Sequence, residues 1–250
     1  MDKITKTALK AIILAAGVGS RIRPLTDNCP KSLLTVAGMP ILERMIGNIR
    51  ACGIKEIIFV LGYLDKQIEE FVKSKFPDLD THFVLNDKYQ ETNTGYSLML
   101  TEAAVAGASF VKFDADVVFD IKILRKLIAS PFDNCLCIDR DIQLDAEEIK
   151  VIEDENCRVL KASKTVNPAE AIGESIGIEK ISSDTAKLLF KELGLMMQQT
   201  SNHQAYYEAA YERLIECGTF FHTIDITGRN WTEIDTHEDY RVANWMFSTA

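Results

Sequence analysis

Two glycines and two cations near the start of the chain carry its most specific chemistry. The run Leu14-Ala15-Ala16-Gly17-Val18-Gly19-Ser20-Arg21 is followed by Pro30-Lys31-Ser32-Leu33. Gly17 and Gly19 let backbone N–H groups approach a polyphosphate with no Cβ in the way. Arg21 and Lys31 add fixed positive charge where phosphate charge must be neutralised, and Pro30 stiffens the approach to Lys31. Two familiar phosphate loops are excluded. A dinucleotide fingerprint needs a third glycine where Ile22 stands, and a P-loop needs a Gly-Lys-Ser/Thr that the chain lacks.

Further along, Asp114-Ala115-Asp116 places acids directly after an apolar run, Phe110 to Phe113, and Glu233-Ile234-Asp235 places two more near the C-terminus. Glu233 and Asp235 share a strand face by period two. Asp235 alternatively reads as the N-cap of a helix over His237 to Met246. Asn86 and the stretch Asn93-Thr94-Gly95-Tyr96-Ser97 offer amide and hydroxyl groups that can hydrogen-bond a base edge. Residues 139–155 hold eight acids against Arg140 and Lys150, a density typical of a solvated turn. An acceptor with an ammonium group would nevertheless need a carboxylate there, from Asp139 or Glu174.

The elements that must position these residues follow from apolar spacing. Strands are predicted over 9–14, 57–61, 82–85 and 109–113, and helices over 40–52, 65–76 and 95–106. That alternation predicts an α/β, Rossmann-like, mainly parallel sheet with its ligand site at the carboxyl ends of the strands. After about residue 130 the rhythm changes to antiparallel strands over 135–138, 149–152, 158–161 and 175–180. Helices over 183–193 and 203–216 and a returning strand over 222–226 follow. A single domain, 1–250, is expected, with a nucleotide-binding half over about 1–130 and an acceptor-binding half, a lid, over about 131–250.

Subtracting 37 acids from 28 bases gives a net charge of −9, against a general nucleic-acid binder, which needs basic surface. No apolar run approaches the length of a membrane span, and Met1-Asp2-Lys3-Ile4-Thr5-Lys6 does not read as a secretion signal. Six cysteines without a CxxC pair and four scattered histidines give no zinc pattern and fit reduced thiols in the cytoplasm. Oligomeric state is left open.

The stretch from Leu14 through Lys31, extended by Gly38-Met39-Pro40-Ile41-Leu42, resembles the signature of the nucleotidyltransferases that join a nucleoside triphosphate to a phosphorylated acceptor and release pyrophosphate. The resemblance implies a glycosyltransferase-A-like fold. It puts nucleotide contacts on Leu14, Ala15, Ala16, Gly17, Gly19, Ser20, Arg21, Asn86, Thr94, Gly95, Ser97 and Asp114. Transition-state charge falls to Arg21 and Lys31. Transfer between two anions normally uses a divalent metal, and Mg²⁺ takes carboxylate oxygens. Asp116 matches the family's metal-binding aspartate and Asp235 its late one, with Glu233 beside it. The pattern Asn-x-x-Tyr-Ser-Leu departs from the Pro-x-Gly-x-Ala of the sugar-phosphate branch. It is similar to the cytidylyltransferases for phosphocholine, 2-aminoethylphosphonate and inositol phosphate, which shifts the nucleotide toward CTP. Motifs at 148–151, 163–164 and 173–177 resemble the branch acting on phosphonates and phospho-alcohols. There Lys150 and Lys164 would grip the acceptor's phosphonate or phosphate, with 2-aminoethylphosphonate slightly favoured. Tyr206, Tyr207 and Tyr211 are candidates for a cation–π wall, although the i, i+4 spacing of Tyr207 and Tyr211 suits helix packing better. The alternatives are a sugar-1-phosphate or inositol-phosphate nucleotidyltransferase and a non-catalytic nucleotide-sensing domain.

Overall fold

A computed structural model of the protein describes residues 9–248, so Met1 to Lys6 lie outside the described residues. Strand β1 (Lys10–Ala15) is buried from its second residue on. Short 3-10 turns at Ser20–Ile22 and Lys31–Leu33 follow, then a hairpin of β2 (Thr35–Val36) and β3 (Met39–Pro40). Helix α1 (Ile41–Ala51) buries Ile41, Leu42, Met45, Ile46 and Ile49, the stripe its spacing predicts. The alternation continues with β4 (Glu56–Leu61), α2 (Asp65–Lys75) and β5 (Asp80–Leu85).

The single helix expected over 95–106 is two short ones, α3 (Thr94–Met99) and α4 (Glu102–Val105). The break falls at Thr101, whose N–H and hydroxyl both donate to the Leu98 carbonyl, at 3.0 and 2.7 Å. A Thr side chain that bonds its own backbone competes with the helical ladder in this way. Next come β6 (Phe110–Asp114), β7 (Val117–Phe119) and a helix the apolar spacing did not flag, α5 (Ile121–Ala129). Asp120 caps α5 by accepting from the Lys122 N–H at 2.9 Å.

The second half supplies β8 (Cys135–Asp139), β9 (Lys150–Glu153), β10 (Val159–Ser163) and the long β11 (Gly173–Ile181). Helices α6 (Ser183–Met197) and α7 (Glu208–Glu216), strands β12 (His222–Asp225) and β13 (Trp231–Glu233), and α8 (His237–Ser248) complete it. The helix predicted from 203 starts only at Glu208, behind a 3-10 turn at Thr200–Asn202.

Strands of both halves share one sheet in the order β10-β9-β11-β6-β1-β4-β5, with β8 on β11 and β12 on β8. Neighbours among β6, β1, β4 and β5 pair parallel, whereas β11 runs antiparallel to β6. This is the mixed, mainly parallel α/β sheet with an antiparallel excursion that the sequence predicts. Apolar clusters cover both of its faces, Ile13, Phe59 and Phe113 on one and Ile12, Val60 and Phe110 on the other. Away from the sheet, β13 pairs with β7, placing Glu233 opposite Val117. That short ladder carries the C-terminal acids to the end of β6. Among the described residues no helix is long and apolar enough to cross a membrane.

Candidate active site

The carboxyl ends of β1 and β6 open into a cleft of about 880 Å³. Leu14, Ala15, Ala16, Gly17, Gly19 and Arg21 line one side of it, and Asp114 and Asp116 the floor. Gly17 faces open space, with nothing within 4 Å of where a Cβ would stand, so its backbone lies bare to the cleft. Gly19 is held at φ +65°, and a Cβ on it would lie 3.1 Å from the Lys31 Cβ and from Thr26 Cγ2. Its role is therefore to let the Lys31 stem pass. Ser20 begins the 3-10 turn and is not among the cleft-lining residues.

Lys31 reaches across to both acid motifs. Its Nζ donates to Asp116 Oδ2 at 2.7 Å and to Asp235 Oδ1 at 2.6 Å, while Arg21 Nη2 sits 2.5 Å from Asp235 Oδ2. Burial alone would lower the Lys31 pKa, but the two carboxylates outweigh it and raise the ammonium above its ordinary value. Asp235 is moved the other way. Its burial raises the carboxyl, and Lys31 and Arg21 bring it below the usual range. The alternative reading of Asp235 as a helix cap does not hold. Thr236 and Asp239 exchange the capping hydrogen bonds of α8, at 2.7 and 3.2 Å, which leaves the Asp235 carboxylate to the cleft.

Asp116, Glu233 and Asp235 each offer an oxygen within 4.8 Å of the others. Glu233 keeps an open face to the cleft, yet the surrounding walls desolvate its carboxyl. With Asp116 and Asp235 beside it, its pKa is raised well above the ordinary value. The Asp116 Oδ1 is buried with no hydrogen-bond partner. Three hard carboxylates, one of them with an orphaned oxygen, suit a divalent cation of the Mg²⁺ type.

Behind this floor Asp114 is fixed rather than free. Its Oδ2 accepts from Lys112 Nζ at 2.9 Å and from the Tyr207 hydroxyl at 3.0 Å. Lys112 is fully buried and also pairs with Glu179 at 2.8 Å and with the Tyr207 hydroxyl. Tyr207 packs its ring against Tyr211, centroids 5.3 Å apart, and both are buried; Tyr207 reaches the cleft wall, but its ring already carries the Lys112 ammonium 3.7 Å from the centroid.

On the base side, Thr94 and Ser97 line the cleft with Asn86. Both donors of the Asn86 amide are taken by the chain itself, going to Thr92 Oγ1 and Ser97 Oγ at 3.0 Å each, and its oxygen accepts from the Lys88 N–H at 3.0 Å. It pins the base-side loop. Gly95 is turned away from the cleft, where a Cβ would stand 2.8 Å from the Ala205 carbonyl oxygen. Its missing side chain serves helix packing, not a base.

The acceptor side departs from expectation at Lys150. Its ammonium is buried and donates to the carbonyls of Asp145 at 2.8 Å and Glu148 at 3.1 Å, so it ties down the acidic loop and is not among the cleft-lining residues. The period-two alternation of β9 puts Lys150 and Ile152 on one face and Val151 on the other, but it does not say which face of the sheet turns to the cleft, which is why the sequence could not orient it. Lys164 does line the cleft, over the Tyr206 ring at 4.9 Å and 3.4 Å from Glu147. Asp139 and Glu174 line it as well. Asp139 accepts from the Trp231 indole N–H at 2.6 Å. Burial, then Glu148 and Asp139, push the Glu174 carboxyl up to about 8. The sequence reading missed Ser32, Ser175 and Glu208, each buried on the cleft wall with a polar oxygen that has no partner. A Ser or Glu inside an otherwise ordinary element carries no sequence signal for this.

Comparison with known proteins bears on the family and the fold. The MobA-like NTP transferase domain matches residues 11–141, from β1 to just beyond β8. The chain belongs to that family. It is similar to a CMP-5'-(3-aminopropyl)phosphonate synthase of Streptomyces rubellomurinus, 26% identical over 96% of this chain and 39% of the relative. It is also similar to a choline-phosphate cytidylyltransferase of Streptococcus pneumoniae, 42% identical over 43% of this chain and 44% of the relative. The aligned regions thus span less than half the length of these two relatives. Among solved structures, the CTP:phosphocholine cytidylyltransferase of Streptococcus pneumoniae superposes with a TM-score of 0.79 at 25% identity, covering 96% of this chain and 99% of that one. The family match spans the glycine loop, Lys31 and Asp116, and leaves the acids at 233–235 outside it.

Proposed function

We propose that the protein transfers CMP from CTP to a small phosphonate or phosphate monoester that carries a primary ammonium group, releasing pyrophosphate. The observation that supports this reading best is the convergence of Arg21 and Lys31 with Asp116, Glu233 and Asp235 beside a bare-backbone glycine loop. Gly17 and Gly19 would cradle the triphosphate. The acceptor oxygen attacks the α-phosphorus in line, and Arg21 and Lys31 offset the charge that builds on the phosphoryl oxygens and on the departing pyrophosphate. Asp116, Glu233 and Asp235 would hold Mg²⁺, which supplies further neutralisation between the two anions when bound. No nucleophilic side chain is needed, since the acceptor supplies its own oxygen.

The acceptor class follows from the far wall. Asp139, Glu148 and Glu174 line the cleft together with Lys164, a combination of charges that suits a zwitterion with a phosphonate at one end and an ammonium at the other. A quaternary ammonium is recognised by open aromatic faces. Here Trp231 is buried, and the half-exposed Tyr206 ring already carries the Lys164 ammonium. Carboxylates that accept hydrogen bonds therefore dominate, which favours 2-aminoethylphosphonate or phosphoethanolamine over phosphocholine. The names of the cytidylyltransferase and phosphonate-synthase relatives support the cytidine nucleotide, and the aminopropylphosphonate in the second supports a primary-ammonium acceptor, whereas the first is named for choline phosphate. CTP as substrate and six unpaired cysteines fit the cytoplasm.

The test is pyrophosphate release with Mg²⁺, crossing CTP, UTP, dTTP and GTP with 2-aminoethylphosphonate, phosphoethanolamine, phosphocholine, inositol phosphate and glucose 1-phosphate. Release that requires CTP and an amino-phosphonate or amino-phosphate is the expected result. Release only with UTP or dTTP and glucose 1-phosphate would move the protein to the sugar-phosphate branch. Nucleotide binding with no release anywhere would make it a sensor.

A further inference from the structure

Lys31 stands where a metal ion bridging Asp116 and Asp235 would stand. Its ammonium lies 2.7 Å from one carboxylate and 2.6 Å from the other, and Arg21 holds the remaining Asp235 oxygen at 2.5 Å. Three of the oxygens that would ligate a divalent cation are thus committed to cations of the chain itself. The Asp116 Oδ1 is left buried and unpartnered beside them. An ammonium and a divalent ion cannot share this space, because like charges a few ångströms apart in a partly buried site repel strongly.

The Lys31 side chain is only 11% exposed, and its stem lies so close to Gly19 that a Cβ there would stand 3.1 Å from the Lys31 Cβ and 3.3 Å from its Cδ. Its stem being fixed, the mobile part is the terminal ammonium. The glycine loop that Lys31 packs against is the one that would hold the nucleotide's phosphates, so those phosphates are the nearest alternative partners for the ammonium.

We infer that Lys31 is a placeholder cation: it occupies the metal position until a nucleotide's phosphates draw it away, so that metal and nucleotide bind cooperatively through one lysine. This rests on the nucleotidyltransferase reading of the same cleft. Linkage makes the coupling reciprocal, and couplings between sites commonly amount to about 5–150-fold in affinity. Without nucleotide, the acidic triad binds metal poorly despite its charge. Arg21, with one contact to Asp235 and half its side chain in solvent, contributes a smaller share of the blockade.

The experiment titrates Mn²⁺ into the full chain without nucleotide and follows free Mn²⁺ by electron paramagnetic resonance. Lys31→Met keeps the stem and removes the ammonium, and it should bind Mn²⁺ at least about tenfold more tightly than wild type. Arg21→Met should gain a smaller factor. Lys164→Met removes a cleft cation that touches no triad residue and should change affinity by less than about twofold, which separates displacement from a general field effect. Should Lys31→Met not hold its fold by circular dichroism, the exposed Arg21→Met and Lys164→Met pair carries the same comparison. Equal, tight binding by wild type and both Lys31→Met and Arg21→Met overturns the exchange and leaves the metal site standing. Equal gains in all three variants also overturn it. Binding by none of these proteins, even beside a non-hydrolysable CTP analogue, overturns the exchange and the metal assignment together.

Discussion

Gly177 is the residue whose replacement should test the floor of the cleft most directly. It sits in β11 at φ +72°, inside the register shift between Ser175 and Glu179, and its carbonyl accepts from Lys112 Nζ at 3.3 Å. A Cβ there would stand 2.4 Å from Asp114 Oδ2 and 3.1 Å from Asp114 Cβ and Cγ. A free carboxylate tip would swing aside at little cost. Asp114 cannot, because Lys112 and the Tyr207 hydroxyl hold the very oxygen that is struck. Gly177→Ala therefore adds two penalties. The left-handed backbone costs an alanine about 1 kcal/mol or more. Breaking or bending hydrogen bonds to a charged group adds about 2 kcal/mol. The sum, about 3 kcal/mol, corresponds to a fall in Tm of about 6–12 °C for a chain of this size.

Gly53→Ala is the matched control. Gly53 has φ +83° but nothing within 4 Å of a Cβ, so only the backbone penalty of about 1 kcal/mol should appear, about 2–4 °C. Calorimetry or dye-monitored melting of both variants gives the comparison. The Asp114→Ala background closes the cycle, since with no carboxylate to strike, Gly177→Ala should cost close to the control value. In the enzyme assay Gly177→Ala should raise the nucleotide KM, because Asp114 lines the cleft and would be displaced. If Gly177→Ala and Gly53→Ala melt together, the claim that Lys112 and Tyr207 hold Asp114 in place is wrong.

The two acceptor-side lysines should separate cleanly. Lys150→Met strips two charge-assisted bonds from the acidic loop and should lower Tm by about 4–8 °C, an effect of about 2 kcal/mol. Lys164→Met should leave the melting curve in place and raise the acceptor KM about tenfold, and the reverse pattern would exchange their roles. Stability should also fall as pH rises through the neutral range. Burial and then the neighbouring acids Asp114 and Glu179, against Lys112, push the Glu208 carboxyl up to about 8 from an unfolded value of 4.5. Between those values the unfolded chain has released a proton that the folded chain keeps, so each rise in pH favours unfolding until the folded group titrates. Glu208→Gln should flatten that part of the Tm–pH curve between pH 5 and 8, and an unchanged slope would refute the buried protonated carboxyl.

What the sequence made legible is the part of the site whose chemistry is set by residue type and short spacing. Gly17, Arg21, Lys31, Asp116 and Asp235 are separated along the chain, yet each is marked by its own local motif, and the fold brings them to one cleft. What stayed hidden depends on pairings between distant segments. Three-residue strands such as β7 and β13 have no periodicity to read, although their pairing is what carries Glu233 to Asp116. The orientation of Lys150 depends on which face of the sheet β9 turns to the cleft once it has paired with β11, and Gly95 opens space for the Ala205 carbonyl rather than for a base. Helix α5 is a different case, since its cap Asp120 and its apolar Ile123, Leu124 and Leu127 are local signals. They are masked by continuing directly from the buried strand Val117–Phe119, so that one long apolar region hides a change of period. Residue type thus points to a chemistry. It does not show whether a side chain is spent on the chain itself, as Asn86 and Lys150 are, or left buried without a partner, as the oxygens of Ser32, Ser175 and Glu208 are.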